Sequence, residues 1–545
     1  MRSTIAGLLG LVLGFPVAAL FWDTLSWQSL QMAWREPVPI APLVGNTFAL
    51  ILITIFLAVP PGVIFGYVSV DSGVASRRGL GAGVLACLFI PLPVWAVSWQ
   101  IIFGEWLPPL ALEPGDIAWR PWKQGLLPAA WIHAVAALPW VVAIVRLILG
   151  TAHPALEEEA RQTAGPRGVF RWVILPRLIW AIGLASTVVA LQVGTEIAVT
   201  DAMMVRTFAE EVYTQMVVRS AGLSGAIAVT VPVWLVTAAG LALIARAGLR
   251  RFRTAEESFQ FAPPGRPKIS PVASFFAWGT FAVYLGLPVG ALVWKAAGGG
   301  VLPDPSGAEF AQRLGKVIRT EWITLLDSLA AAAAAGAVTA LLAWFACALG
   351  AGSPRYRGAL WALCLALIAL PGPLVGFGLK RATVKLVSAE RALLGRFDLQ
   401  PEFPPLRSML YDQPSPIPGI WVCALRFFPL ACGIIALAML RIPKSLVETA
   451  VAEGRNPRSP WAWVIAPFTS RAFVFAAVAV AALALGEVSA GKLAQPPARG
   501  VFILRLFDQM HYGAESTVAG LCLLQLATTW GILCLLVGLR PERTP

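Results

Sequence analysis

Apolar runs of about 20 residues recur from one end of this chain to the other, and nothing else in it limits the possible folds so strongly. Each is long enough, as a helix rising about 1.5 Å per residue, to cross roughly 30 Å of hydrocarbon. The runs are continuously apolar, whereas the strands of a membrane barrel alternate over about ten residues, so helices are expected and a barrel is not. The chain is 58% hydrophobic and only 13% charged, with a mean hydropathy of +0.73. That excess over an ordinary soluble domain cannot be hidden in a water-soluble core.

Twelve spans are read at 4–22, 44–67, 79–101, 125–149, 178–200, 222–246, 272–295, 328–350, 358–379, 417–440, 472–491 and 516–538. Arg2 ahead of the first apolar stretch is also a signal-peptide pattern. No small-x-small cleavage site precedes a polar region there, and Phe21-Trp22 stands where an interfacial anchor belongs, so the segment is read as a retained helix. With the N-terminus placed inside, the inner segments hold 22 Lys and Arg and the outer segments 18, and the C-terminus also falls inside. The net charge of +13 therefore collects on the inner face. Contact with anionic membrane lipid accounts for it, and nucleic-acid binding is not expected. All seven cysteines lie in apolar runs and the three histidines are scattered, so neither a disulfide framework nor a metal site or cofactor is expected.

The chain also repeats itself. Trp131-Ile-His-Ala134 opens the fourth span and Trp421-Val-Cys-Ala424 the tenth, at an offset of 290, which Pro139 and Pro429 keep. Pro154 and Pro443, Glu159 and Glu448, and Gly165 and Gly454 follow at 289; Pro176 and Pro467, and Glu196 and Glu487, follow at 291. Pro91-Leu92-Pro93 aligns with Pro371-Gly372-Pro373, two proline runs expected to break the helices of their spans, and Asn46-Thr47 with Asp327-Ser328. Six spans per copy make the two copies parallel. The division is residues 1–248, a basic and Pro/Gly-containing inner linker at 249–271, and residues 272–545.

Both inner loops after the fourth span of a copy carry one pattern. The first reads Pro154-Ala-Leu-Glu-Glu-Glu159-Ala160-Arg161-Gln-Thr-Ala-Gly165 and runs on to Val173-Ile-Leu-Pro176. The second reads Pro443-Lys-Ser-Leu-Val-Glu448-Thr449-Ala450-Val-Ala-Glu-Gly454 and runs on to Val464-Ile-Ala-Pro467. Proline suits a first helical turn, glutamate suits the positive end of the helix dipole, and glycine permits the turn that ends the helix. A short helix, a glycine turn and a second helix are expected. These loops resemble the EAA loop of bacterial binding-protein-dependent ABC importers. Thr449 replaces the first alanine of that pattern and Arg161 the second, and the first loop is two residues short before its proline. The segments from Gly194 to Gln215 and from Leu485 to Gly513 resemble fused permeases of the iron(III) type.

The resemblance implies a type I importer permease in a bacterial inner membrane. ATP-binding subunits, one for each loop, would dock from inside and a periplasmic or lipid-anchored substrate-binding protein from outside. Glu159, Ala160, Gly165, Glu448, Thr449, Ala450 and Gly454 would form the ATPase contacts. Only Lys444 among the lysines is followed by Ser or Thr, and Pro443 precedes it, so no phosphate-binding loop exists and ATP hydrolysis is assigned to a separate subunit. Glu196 and Glu487 near outer span ends, and Arg426 deeper, are candidates for the translocation pathway, since intramembrane charges face a cavity or a partner. Structurally, the glutamates would instead cap helix ends or pair with Arg206, Lys492 or Arg499. An ion-gradient-driven secondary transporter is the rival reading, as parallel six-helix halves occur there too. An intramembrane enzyme would need a catalytic pair at depth, and none stands out.

Overall fold

The computed structural model describes residues 2–22, 40–70, 75–107, 111–113, 117–119, 122–150, 154–218, 234, 237–243, 271–300, 306–351, 353–399, 404–453, 461–496, 499–511 and 515–538. These residues are helical apart from connecting turns and one small antiparallel hairpin, Ala111–Glu113 against Ile117–Trp119. Among the described residues eight helices are long and apolar enough to cross a membrane, or ten if each of two bent pairs is one span. The chain is a multi-pass membrane protein.

In the first half the helices are α1 (Phe15–Trp22), α2 (Ile40–Val70), α3 (Ala75–Ala86), α4 (Leu92–Ile101), α5 (Leu126–Leu149), α6 (Pro154–Gly168), α7 (Leu175–Thr195), α8 (Ala198–Ala202) and α9 (Phe208–Val218). The second half continues with α10 (Pro271–Ala296), α11 (Gly307–Ala351), α12 (Pro354–Ala369), α13 (Gly372–Arg396), α14 (Ile417–Met439), α15 (Lys444–Ala452), α16 (Ala466–Ala484), α17 (Gly491–Ala494), α18 (Phe502–Met510) and α19 (Glu515–Gly538). The body of the first half is α2 packed on α5 and α7; that of the second is the equivalent trio α11, α14 and α16. Gly62 and Gly66 let α2 approach closely, since a Cβ on either would stand 2.6 or 2.7 Å from the side chain of Val141 or Val145 on α5.

Prolines shape the spans. The expected spans 79–101 and 358–379 are not straight: the chain turns by 97° at Pro91 and by 111° at Pro371. Each proline precedes a helix whose second residue is again proline, Pro93 or Pro373, so two N–H donors are missing from one turn. A gentler effect appears at Pro16, Pro176 and Pro467. A proline ring inside a helix presses on the carbonyl four residues back, and a widened π-turn relieves it. The π-turns Gly10–Gly14, Val169–Ile174 and Trp461–Ile465 sit at those places.

Carbonyls freed in this way find donors in the other half. Pro16 frees the carbonyl of Val12, which accepts Trp421 Nε1–H at 2.7 Å; Pro139 frees that of Val135, which accepts Tyr284 Oη–H at 2.9 Å. A span-1 residue of one half thus meets a span-4 residue of the other, in both directions. The packing is reciprocal as well: α1 lies on α13, and α10 lies on α4 and α19. The repeat boundary is therefore one of sequence, and the two larger hydrophobic cores each draw on both halves.

Several spans differ from expectation. Helix α11 has 45 residues, so the stretch before 328 is helix and not loop; an ion pair one turn apart, Glu309 with Arg313 at 2.8 Å, supports its polar end. The fifth and eleventh spans end at Thr195 and Ala484, short of the expected 200 and 491. The first apolar helix, Ala6–Trp22, is shorter than a full span. Of the expected span 222–246 only Trp234 and residues 237–243 are described, and the linker 249–271 lies outside the described residues apart from its last position.

Candidate functional site

The loop helices come first. In α6 the helical path breaks at Gly165, with φ 67° and ψ −170°. Only glycine tolerates that backbone without strain, and a Cβ there would meet nothing within 4 Å, so the demand is purely conformational. The expected helix, glycine turn and second helix are all present. Glu159 is exposed, Ala160 is half-buried against the first core, and Arg161 sits 4.0 Å from Glu158. In α15, capped by Pro443, Glu448 and Thr449 are exposed and Ala450 is half-buried; Thr449 Oγ1–H donates to the Ser445 carbonyl at 2.9 Å. Gly454 lies outside the described residues. Each loop thus presents an exposed glutamate on a short helix.

The two glutamates at the far ends of α7 and α16 occupy equivalent places. Glu196 follows the last residue of α7 and accepts the Val199 N–H at 3.2 Å; Glu487 follows α16 and accepts the Ala490 N–H at 2.8 Å. Val199 and Ala490 keep the 291 offset of the glutamates themselves. Both carboxylates cap the short helices α8 and α17, whose first N–H groups have no partner within the helix. The sequence reading placed them inside spans; they lie in the breaks beyond, because a helix-ending cap must stand outside the helix it follows.

Their remaining bonds differ. Glu196 is buried and takes the hydroxyl of Ser489, from the other half, at 3.0 Å. Glu487 pairs with Arg426 at 3.6 Å. Arg426 also donates from Nη1 to the Leu370 carbonyl at 3.2 Å, at the break before Pro371. It is a half-buried cation that binds a carboxylate and a freed carbonyl together, which resolves its cost in an apolar setting. The other partners considered for the glutamates go elsewhere, Arg206 to Glu211 at 2.6 Å and Lys492 to Asp508 at 3.4 Å.

The same end carries further ties between the halves. His511 meets Asp201 at 3.3 Å, Lys492 stands 5.6 Å over the ring of Tyr213, and Lys295 forms a buried ion pair with Glu105. The alignment of Asn46-Thr47 with Asp327-Ser328 has a shared role here. Thr47 Oγ1 accepts the Phe208 N–H at 2.9 Å and Ser328 Oγ accepts the Phe502 N–H at 3.0 Å, so each hydroxyl caps the first residue of α9 or α18. Sequence reasoning missed Ser489, Asp201, His511, Lys295 and Glu105. Ser489 stands two residues after an aligned glutamate and could have been suspected. The others have no counterpart at the repeat offset.

The loop helices α6 and α15 precede α7 and α16, at the ends of these helices opposite Glu196 and Glu487. Among the described residues no group of three or more His, Cys, Asp or Glu is placed to hold a metal ion. The geometry defines a class: a multi-pass helical membrane protein whose N-terminal and C-terminal halves are intertwined. They are tied by polar contacts at one end and present paired short helices at the other. A scan against protein-family models finds no match to this chain, and a search of curated proteins finds no matching relative.

Proposed function

We propose that this chain is the permease subunit of an ATP-driven ABC importer, with both transmembrane domains, twelve spans in all, in one polypeptide. The observation that carries this reading is the pair of loop helices, α6 and α15. They stand at equivalent positions of the repeat, each bears an exposed glutamate, Glu159 or Glu448, and each packs on the π-turn that opens the next span, Val169–Ile174 or Trp461–Ile465. A helix packed at the root of a span transmits force; a free loop does not. Two ATP-binding subunits would seat on them, and their closure on ATP would draw the loops together and part the tied far end. A substrate-binding protein would deliver its cargo at that far end, on the outer side of a bacterial inner membrane. Iron(III) is the cargo that the resemblance of the terminal third of each half favours.

The reading is tested by Glu448→Arg. The substituted chain should reach the membrane at the normal level and lose its ATPase subunit. A full ATPase complement with normal uptake would overturn the assignment of the loops.

A further inference from the structure

His511 ties the second half to the first through one edge of its ring and is held to its own helix, α18, through the other. Nε2 lies 3.3 Å from Asp201 Oδ2. Nδ1 lies 2.9 Å from the carbonyl oxygen of Phe507. That carbonyl is open to the ring because the His511 backbone N–H turns instead to Asp508, at 3.2 Å. A carbonyl oxygen and an ionised carboxylate only accept. A neutral imidazole has one N–H and can satisfy one of them, whereas the imidazolium satisfies both. The arrangement is therefore that of a protonated ring.

We propose that His511 is a proton-sensitive latch between the two halves: protonated, it donates to Phe507 of its own helix and to Asp201 at once, and its charged bond to Asp201 holds the end opposite the loops together; neutral, its single N–H cannot serve both acceptors, the charge attraction to Asp201 is lost, and that end loosens. The inference concerns how the halves are held and does not rest on the transport reading.

The groups facing the ring come from four elements. On α8, Asp201 favours the proton. On α17, Lys492 opposes it, but Lys492 is itself engaged by Asp508 of α18 at 3.4 Å and lies over the Phe507 ring at 4.6 Å. On α9, Tyr213 lies beneath Lys492, and Glu210 adds negative charge near Asp201. The hydrogen bond to Asp201 dominates and lifts the His511 pKa above its ordinary value, with partial burial working against it. The sign follows. A raised pKa means that the bridge is fully present below the ordinary histidine range and is lost as pH rises through the raised value. The pair is specific to this place, since the 291 offset puts Lys492 opposite Asp201 in the repeat.

The test is a distance measurement by pulsed electron resonance on the full chain in lipid nanodiscs, without nucleotide or partners. Spin labels go on Met204→Cys and Gly500→Cys, both exposed, with the exposed Cys534 replaced by Ser; the other six cysteines are buried. Raising the pH from about 5.5 to about 8.5, across the histidine range, should lower the short-distance fraction by about two-fold or more. His511→Gln should show the loosened distribution at both values, and Asp201→Asn should do the same. Superimposable wild-type distributions at the two pH values would overturn the latch, as would a pH response that survives in His511→Gln or Asp201→Asn.

Discussion

Ser489 Oγ donates a hydrogen bond of 3.0 Å to Glu196 Oε1 across 293 positions of sequence, and so fastens the break after α16 to the break after α7. Glu196 uses its other oxygen to cap α8, at Val199 N–H. One buried carboxylate therefore orders its own half and grips the other. Glu487, its counterpart, also caps its short helix but turns its second oxygen to Arg426 within its own half. The two glutamates share a capping role and differ in their remaining bonds.

Ser489→Ala removes a donor from a buried carboxylate oxygen. Leaving such an acceptor unmet costs about 1–3 kcal/mol, so the purified chain should melt at a lower temperature in detergent or lipid. Ser489→Thr, which keeps the hydroxyl, should recover most of the loss. An unchanged melting temperature in Ser489→Ala would show that the bond between the halves carries no weight.

Arg426→Met strands Glu487 and the Leu370 carbonyl at once. Breaking a largely buried pair from one side is expected to cost roughly 3 kcal/mol. Removing both charges, as Arg426→Met with Glu487→Gln, should be milder than the sum of the two single changes. The double-mutant cycle reads this coupling, and additive effects would mean that the two side chains do not act as a pair.

Tyr284→Phe leaves the Val135 carbonyl without the donor that replaces the one Pro139 lacks. The expected loss is about 1–2 kcal/mol. Pro139→Ala restores a backbone N–H one turn on, so Tyr284→Phe should cost less in that background. The matching pair is Trp421→Phe with Pro16→Ala. If the penalty of Tyr284→Phe is the same with and without Pro139, proline-freed carbonyls are not what the hydroxyl serves.

Gly165→Ala puts a side chain on a backbone that only glycine accepts, at a cost of about 1–3 kcal/mol. The surrounding space is open, so the penalty should stay local to α6. Hydrogen exchange should quicken in residues 154–168 and remain unchanged in α5 and α7. Uniform exchange across these helices would place the conformational demand elsewhere.

How far the sequence foretold this structure depends on what each feature needs. Continuous apolar runs marked the spans, because a helix in lipid must satisfy its own backbone and cover it with apolar side chains. Pro91 and Pro371 marked the breaks, since a missing N–H acts locally. The glycine turn in α6 was legible for the same reason. The intertwining of α1 and α10 was not: spans apolar on every side show no stripe to name the neighbour they meet. The extension of α11 was hidden because its added turns are polar and read as loop. Of the roles weighed for Glu196 and Glu487, the cap at a helix end is the one found, while Arg206 and Lys492 are bound instead by Glu211 and Asp508.

The central claim is that α6 and α15 each seat an ATP-hydrolysing subunit, and native mass measurement of the complex purified from its own membrane tests it most directly. The account predicts two ATP-binding subunits per chain, both lost in the double substitution Glu159→Arg with Glu448→Arg while the chain itself stays in the membrane. A chain purified without any such subunit, whose uptake collapses with the proton gradient and is indifferent to ATP, would contradict it.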